Sequence, residues 1–150
     1  MEKYIGTKVI TAKPMSRGEY NEYRGWKIPA NENPDDEGYL VKYSDDYESW
    51  SPAEAFERSY RCFDGGMNFG HAIELMKMGL RLQRRGWNGK NQYIELATNI
   101  SYKNADGEIV NCEHDAIGNK AIAFVGTSGV QMGWLASQSD MLAEDWKVAD

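Results

Sequence analysis

Residues 67–87 read MNFGHAIELMKMGLRLQRRGW, and the point at which their period changes decides the fold. Phe69, Ala72, Ile73 and Met76 recur at three- and four-residue spacing, the apolar stripe of an amphipathic helix. Asn68 stands where a cap belongs, and Gly79 where such a helix stops. From Leu80 onward the period falls to two. Leu80, Leu82 and Arg84 share one face of a strand, and Arg81, Gln83 and Arg85 share the other. The strand ends at Gly86-Trp87. Asn88-Gly89 is a hairpin-turn signal, so NQYIELAT (91–98) is expected to return antiparallel to it.

The same reading extends downstream. KNADGEIV (103–110) holds a turn at Asp106-Gly107. KAIAFVG (120–126), a turn at Thr127-Ser128-Gly129, and VQMGWLA (130–136) form a further hairpin. Ser137 with Asp140 has the spacing of a capping box for a short helix over QSDMLAED (138–145), before a last strand at WKVA (146–149). One helix, about five strands and a short late helix predict an α+β fold built on an antiparallel sheet.

Upstream the composition changes. Asp64-Gly65-Gly66 reads as a linker, dividing a small β-rich accessory module at 1–63 from a second domain at 67–150. In the module, YIGTKVITAKPM (4–15) alternates as a strand, with Ile5, Thr7, Val9 and Thr11 on one face. RGEYNEYRGWKIPANENPDDEG (17–38) is polar and rich in Pro, Asn and Asp, so it is expected to be mostly loop. YLVKYSDDYESW (39–50) reads as a hairpin turning at Ser44-Asp45-Asp46. Pro52 opens a short helix with Ala55, Phe56 and Tyr60 toward that hairpin. The expectation is a small SH3-like barrel whose tyrosines and tryptophans serve either as its core or as a peptide-binding surface.

The chain has 150 residues, a formal net charge of −6 and a mean hydropathy of −0.67. A phosphate-tracking surface needs a basic excess, so general nucleic-acid binding is not expected. No apolar run is long enough for a membrane helix, and MEKYIGTKVI lacks the apolar stretch of a signal peptide. A cytoplasmic protein is expected. Cys62 and Cys112 have no CxxC spacing and read as reduced structural thiols.

Catalytic patterns do not emerge. GTSG (126–129) has its second glycine one position too early for a nucleophile elbow. GWNGKN (86–91) lacks both the length of a phosphate loop and a hydroxyl residue after the lysine. CEHD (112–115) has metal-binding residue types, but neighbours on a strand point to opposite faces and no second cluster accompanies them. His71 has no partner at ligand spacing. Neither an enzyme, nor a metal site, nor a cofactor is expected.

Binding groups remain. Trp87 and Trp134 each follow a glycine, where a small neighbour lets a flat ligand approach the ring. Arg81 and Arg85 share a strand face and could meet a phosphate. Ser137, Gln138 and Ser139 open a helix, a natural place for an anion, although Asp140 suits a ribose hydroxyl better. Stacking, cations and polar groups together describe a nucleotide pocket. A tryptophan that merely covers the sheet and a solvated arginine face are the plain alternatives.

MNFGHAIELMKMGLRLQRRGWNGK (67–90) followed by GWLASQSDMLAEDW (133–146) resembles the Thoeris anti-defence 2 family of phage proteins. The resemblance covers residues 67–150, with 1–66 outside it. It implies a sponge that binds glycocyclic ADP-ribose messengers made by the TIR enzymes of bacterial Thoeris defence, and holds them without cleavage in the cytoplasm of the infected host. It implies homo-oligomers, typically tetramers, with pockets where subunits meet. Related anti-defence sponges also take cyclic oligonucleotides. By matching motifs, Arg85, Trp87, Asn88 and Tyr93 become expected ligand-binding residues. Trp134, Ser137, Gln138, Asp140 and Met141 would form a further wall. Two readings of other classes stand beside the sponge: an enzyme degrading the same nucleotide, and a protein-interaction module using the acidic N-terminal part.

Overall fold

A computed structural model describes residues 1–89, 91–111 and 120–150. The chain forms two compact units, Met1–Arg61 and Cys62–Asp150. The α+β class is as expected from the sequence. CEHD (112–115) and Cys112 lie outside the described residues; Cys62 is an exposed free thiol.

The first unit contains β1 (Thr11–Pro14), α1 (Arg17–Arg24), β2 (Gly38–Lys42), β3 (Glu48–Pro52) and α2 (Ala53–Ser59). Its antiparallel sheet has the order β1-β2-β3, with neither edge joined to the other, so it is an open sheet with two helices where a small barrel was expected. Residues 4–10, expected to extend the first strand, have no strand partner. Thr11 already pairs with Lys42, the last residue of β2, so the residues before it run past the end of their neighbour. Residues 17–38 are not all loop. Ser16 and Glu19 form a reciprocal capping box, Glu19 N donating to Ser16 Oγ at 3.2 Å and Ser16 N to Glu19 Oε2 at 2.9 Å. That satisfies two otherwise orphan amides and starts α1. The hairpin is as read, with Asp46 in the left-handed region at its turn. Pro52 is the cap of α2 rather than its first helical residue, and Phe56 stacks on Tyr39 with ring centroids 4.0 Å apart.

The second unit contains β4 (Asp64–Met67), α3 (Phe69–Lys77), β5 (Leu82–Arg84), β6 (Tyr93–Thr98), β7 (Ser101–Lys103), β8 (Ile109–Asn111), β9 (Lys120–Gly126), β10 (Gly129–Met132), α4 (Gln138–Leu142) and β11 (Trp146–Val148). Six strands form one sheet in the order β10-β9-β6-β5-β11-β4, and β7-β8 make a separate ribbon. Asp64, Gly65 and Gly66, read from the sequence as a linker, belong to β4, which pairs antiparallel with β11. Two adjacent glycines looked like a break, but an edge strand tolerates them because only one side needs pairing.

Asn68 caps α3 as expected, and His71 supplies the return bond, its Nδ1 accepting from Asn68 N at 3.2 Å. The core is Met67, Ala72, Leu75, Met76, Leu82, Ile94 and Trp146, with Phe69, Ile73 and Leu80 packed against it. Leu75 joins the stripe that the sequence assigned to its neighbours. Val148, Leu82, Ile94 and Phe124 face one another through consecutive registers of β11, β5, β6 and β9, fixing the core side of the sheet.

Candidate functional site

On that side of the sheet a run of aromatic rings leads out of the core. Trp146 is fully buried against Phe69, with centroids 5.3 Å apart. Trp87 meets Trp146 edge-on at 5.3 Å and Phe124 at 5.5 Å. Trp134 meets Trp87 edge-on at 6.1 Å and lies nearly parallel to Phe124 at the same separation. Edge-to-face and offset contacts match the positive edge of one ring to the negative face of another. Trp87, Phe124 and Trp134 are each only partly buried.

Backbone geometry places these rings. Gly133 adopts φ +77°, and the amides of Gly133 and Trp134 both donate to Ile122 O, at 3.1 and 2.9 Å. The chain thus turns off β10 and lays Trp134 back on β9. Gly86 is needed for a different reason. Its amide donates to Asp145 Oδ2 at 2.9 Å, and an added Cβ would stand 2.9 Å from the same oxygen. The glycines before the tryptophans therefore have backbone reasons to be glycine, whatever room they leave beside a ring.

A charged fork holds the cluster together. Arg84 Nη1 donates to Asp140 Oδ1 and Arg84 Nε to Asp145 Oδ1, each at 2.8 Å. Asp140 Oδ1 also accepts the Trp87 Nε1–H at 3.0 Å, and Asp140 Oδ2 accepts from Ser137 N at 3.3 Å. Trp146 Nε1 donates to Asp140 O at 2.9 Å. Burial pushes the Asp140 carboxyl upward, but the bonds from Arg84, Trp87 and Ser137 outweigh it and hold the group below the ordinary carboxylate range. Asp145 behaves alike: burial raises it, and Arg84 with the Gly86 amide brings it down. The Arg84 guanidinium is raised, first by Asp145 and then by Asp140.

Of the residues expected to bind ligand, Trp87, Trp134, Ser137 and Asp140 come together here. Ser137 and Asp140 form the capping box of α4, Asp140 N donating to Ser137 Oγ at 3.1 Å. Both Asp140 oxygens already accept bonds from the protein, so a ribose hydroxyl would have to compete for them. Gln138 and Met141 are exposed on α4, and Asn88 is exposed in the loop after Trp87. Arg85 turns away from the cluster: its guanidinium bonds Asp64 O and lies 3.8 Å from the Asp64 carboxylate. Tyr93 alternates with Ile94 and so faces the other side of β6, under the Arg81 guanidinium at 4.7 Å; Arg81 also pairs with Glu95. Arg81 and Arg85 are thus each engaged with a separate carboxylate.

Arg84, Asp145 and Phe124 were missed. The available signal was Arg84's parity with Leu80 and Leu82, since an arginine on an apolar face requires partners. Among the described residues no group of three or more His, Cys, Asp or Glu is arranged to hold a metal. The assembly is a partly exposed aromatic cluster bordered by an ion-paired polar rim.

Comparison with known proteins gives this unit a lineage. A family described as the Thoeris anti-defense 2-like domain matches residues 67–149, a span that contains the whole aromatic cluster and its charged fork. The Thoeris anti-defense 2 protein of Bacillus phage SP01 is 37% identical over 87 residues, which is 55% of this chain and 93% of that protein. With a match over more than half its length, the chain belongs to the Thoeris anti-defense 2-like family.

Proposed function

We propose that this anti-defence protein captures a cyclic ADP-ribose-type messenger, glycocyclic ADP-ribose, and holds it uncleaved so that the Thoeris effector is never activated. The observation that carries the reading is the coincidence of the family match with the partly exposed Trp87–Phe124–Trp134 cluster. A base stacked on such rings gains ~1–3 kcal/mol per contact. Titrating a scarce messenger requires roughly nanomolar affinity, about −12 kcal/mol. Even three such contacts, at most ~9 kcal/mol, fall short of that, so further walls must close over the ligand. Exposed Gln138 and Met141, Asn88, and Tyr93 and Arg85 of a neighbouring copy would supply them in a homo-oligomer, with a tetramer as the proposed assembly. Work inside the infected host cell fits a chain in which no described helix is long and apolar enough to cross a membrane.

Holding rather than cleaving is supported by the chemistry of the cluster. Asp140 and Asp145 are kept ionised by Arg84 and carry structural bonds, so neither is poised to donate a proton at neutral pH. Ser137 Oγ caps its own helix.

The test is to mix the protein with excess glycocyclic ADP-ribose, follow its depletion, then heat the mixture and assay what returns. Depletion that stops when the sites are full, with active messenger recovered intact, is the expected result. Continued loss, or recovery of a linear product alone, would identify an enzyme instead.

A further inference from the structure

The first unit lies outside the family match and has a groove of its own. Arg17, Asn21, Trp26, Lys27, Glu32 and Trp50 contribute to its walls, with Tyr20, Pro29 and Pro52, and it encloses about 510 Å³. That is within the range of small-molecule sites. Its construction follows from α1. Gly25, at φ +72°, ends the helix, and Trp26 N turns back to Asn21 O at 2.8 Å, bringing the Trp26 ring edge-on to buried Tyr20 at 5.9 Å. Trp26 nevertheless stays 56% exposed. The Arg24 guanidinium already lies over the indole at 5.2 Å, so a flat group must stack on the part of the ring that remains exposed beside the groove.

The charges on the walls select the ligand. Glu32 is neutralised from within, bonded by Arg17 and by Asn21 Nδ2 at 3.3 Å. Its carboxyl is held low, chiefly by Arg17. Arg17 lies over Trp50 at 5.0 Å, and its Nε–H is buried with no acceptor, so Glu32 leaves part of its donor capacity unused. Lys27 has no ion-pair partner among the described residues, although acidic side chains outnumber basic ones in residues 1–61. The groove lining itself carries Arg17 and Lys27 against Glu32 alone, with Asp36 acting on Arg17 from beyond the walls.

A proline-rich peptide fits less well, because an extended peptide brings carbonyls that need donors. Trp50 Nε1 is already bonded to Met15 O at 2.8 Å, and Tyr20, whose hydroxyl accepts from Arg24 Nε at 3.0 Å, is buried. We infer that this groove binds a small anion bearing a flat ring, of mononucleotide size, with the ring on Trp26 and the anionic group between Arg17 and Lys27. The site is separate from the aromatic cluster of the second unit and does not depend on what that cluster binds.

The five tryptophans make the test site-resolved in the full chain, because Trp26 and Trp50 report on this groove and Trp87, Trp134 and Trp146 on the other unit. In a ¹H–¹⁵N spectrum, adenosine monophosphate should move the Trp26 and Trp50 indole signals saturably, below about 1 mM. Adenosine alone and inorganic phosphate alone should each act at least about tenfold more weakly. Lys27→Ala should weaken the response of Trp50 about tenfold, the scale of one charged hydrogen bond. Trp26→Leu should abolish that response, with circular dichroism showing the fold retained. The inference is overturned by silence at Trp26 and Trp50, by an unchanged affinity in Lys27→Ala, or by a proline-rich peptide moving these signals when adenosine monophosphate does not. Movement of the other three tryptophans leaves this outcome unaffected.

Discussion

An arginine on the apolar face of a strand must bring its counter-charges with it, and Arg84 does so through two aspartates more than fifty residues away in sequence. With 19% of the side chain exposed against 14% for Asp140, the pair lies between a surface ion pair, worth ~0–1 kcal/mol, and a fully buried one, whose rupture costs ~3–5. Arg84→Met is therefore expected to cost about 2–3 kcal/mol at neutral pH. Asp140 and Asp145 both have depressed folded-state values, so their stabilisation is complete above the unfolded carboxylate range near ~3.9 and is lost as pH falls through the lower folded values. Removing Arg84 takes away the largest downward pull on both, so that burial is opposed only by the bonds from Trp87 and Ser137 to Asp140 and from the Gly86 amide to Asp145. The wild-type advantage should thus be greatest near pH 7 and shrink below about pH 4. Urea midpoints of both proteins at pH 7 and pH 3 check this, and a difference that stays constant with pH would show that lost packing, not charge, is responsible. The sequence showed Arg84's face through its parity with Leu82. It did not show the partners, because pairing at long range is set by the β5-β11 register rather than by anything local. The same blindness led to Arg81 and Arg85 being matched to a phosphate, when Glu95 and Asp64 already engage them.

Elements specified by local chemistry were the legible ones. The caps Asn68 and Ser137, the turns at Asp106-Gly107 and Thr127–Gly129, and the change of period at Leu80 each act within a few residues and were located correctly. Several elements are shorter than read: β5 is Leu82–Arg84 rather than 80–87, β10 is Gly129–Met132 rather than 130–136, and α4 is Gln138–Leu142 rather than 138–145. Where the reading failed, the deciding fact was elsewhere. Residues 4–10 alternate like a strand but have no neighbour, and Asp64, Gly65 and Gly66 look like a linker but belong to a strand that has one. Helix α1 is the exception, since Ser16 and Glu19 carried a local signature that the Pro- and Asn-rich residues after it obscured. Glycines on different elements now separate by cause. Gly133 holds φ +77° with open space around it, so Gly133→Ala meets only the left-handed penalty of ~1–2 kcal/mol and loosens the turn that seats Trp134. Gly66 also has open space but no positive φ, so Gly66→Ala should fall within about 0.5 kcal/mol of wild type or gain slightly. Equal costs for the two in chemical denaturation would mean that the turn before Trp134 is not what places it.

At the scale of the molecule, the two ends of the second unit meet. β11, the last strand, lies between β5 and β4, so the closing strand of the sheet is itself covered by the opening one. Trp146 pairs with Met67 on one side and Arg84 on the other, and Val148 N donates to Phe63 O at 2.9 Å. The family match starts at residue 67, but these contacts need residues 62–66 as well. A fragment of residues 62–150 is expected to fold alone, with the same acid and urea behaviour of the Arg84 fork as the full chain. If the proposed homo-oligomer is built by this unit, the fragment should also contain as many copies in solution as the full chain. A fragment of residues 67–150 keeps every core side chain but leaves the backbone of β11 open. Losing a few strand hydrogen bonds at ~0.5–1.5 kcal/mol each should lower its stability by about 2–3 kcal/mol, and the bare edge should favour edge-to-edge association. Thermal denaturation and sedimentation of the two fragments decide the matter. Equal stability would make β4 an ornament on a sheet already complete at Met67, and failure of 62–150 to fold would mean that residues 1–61 contribute to its core.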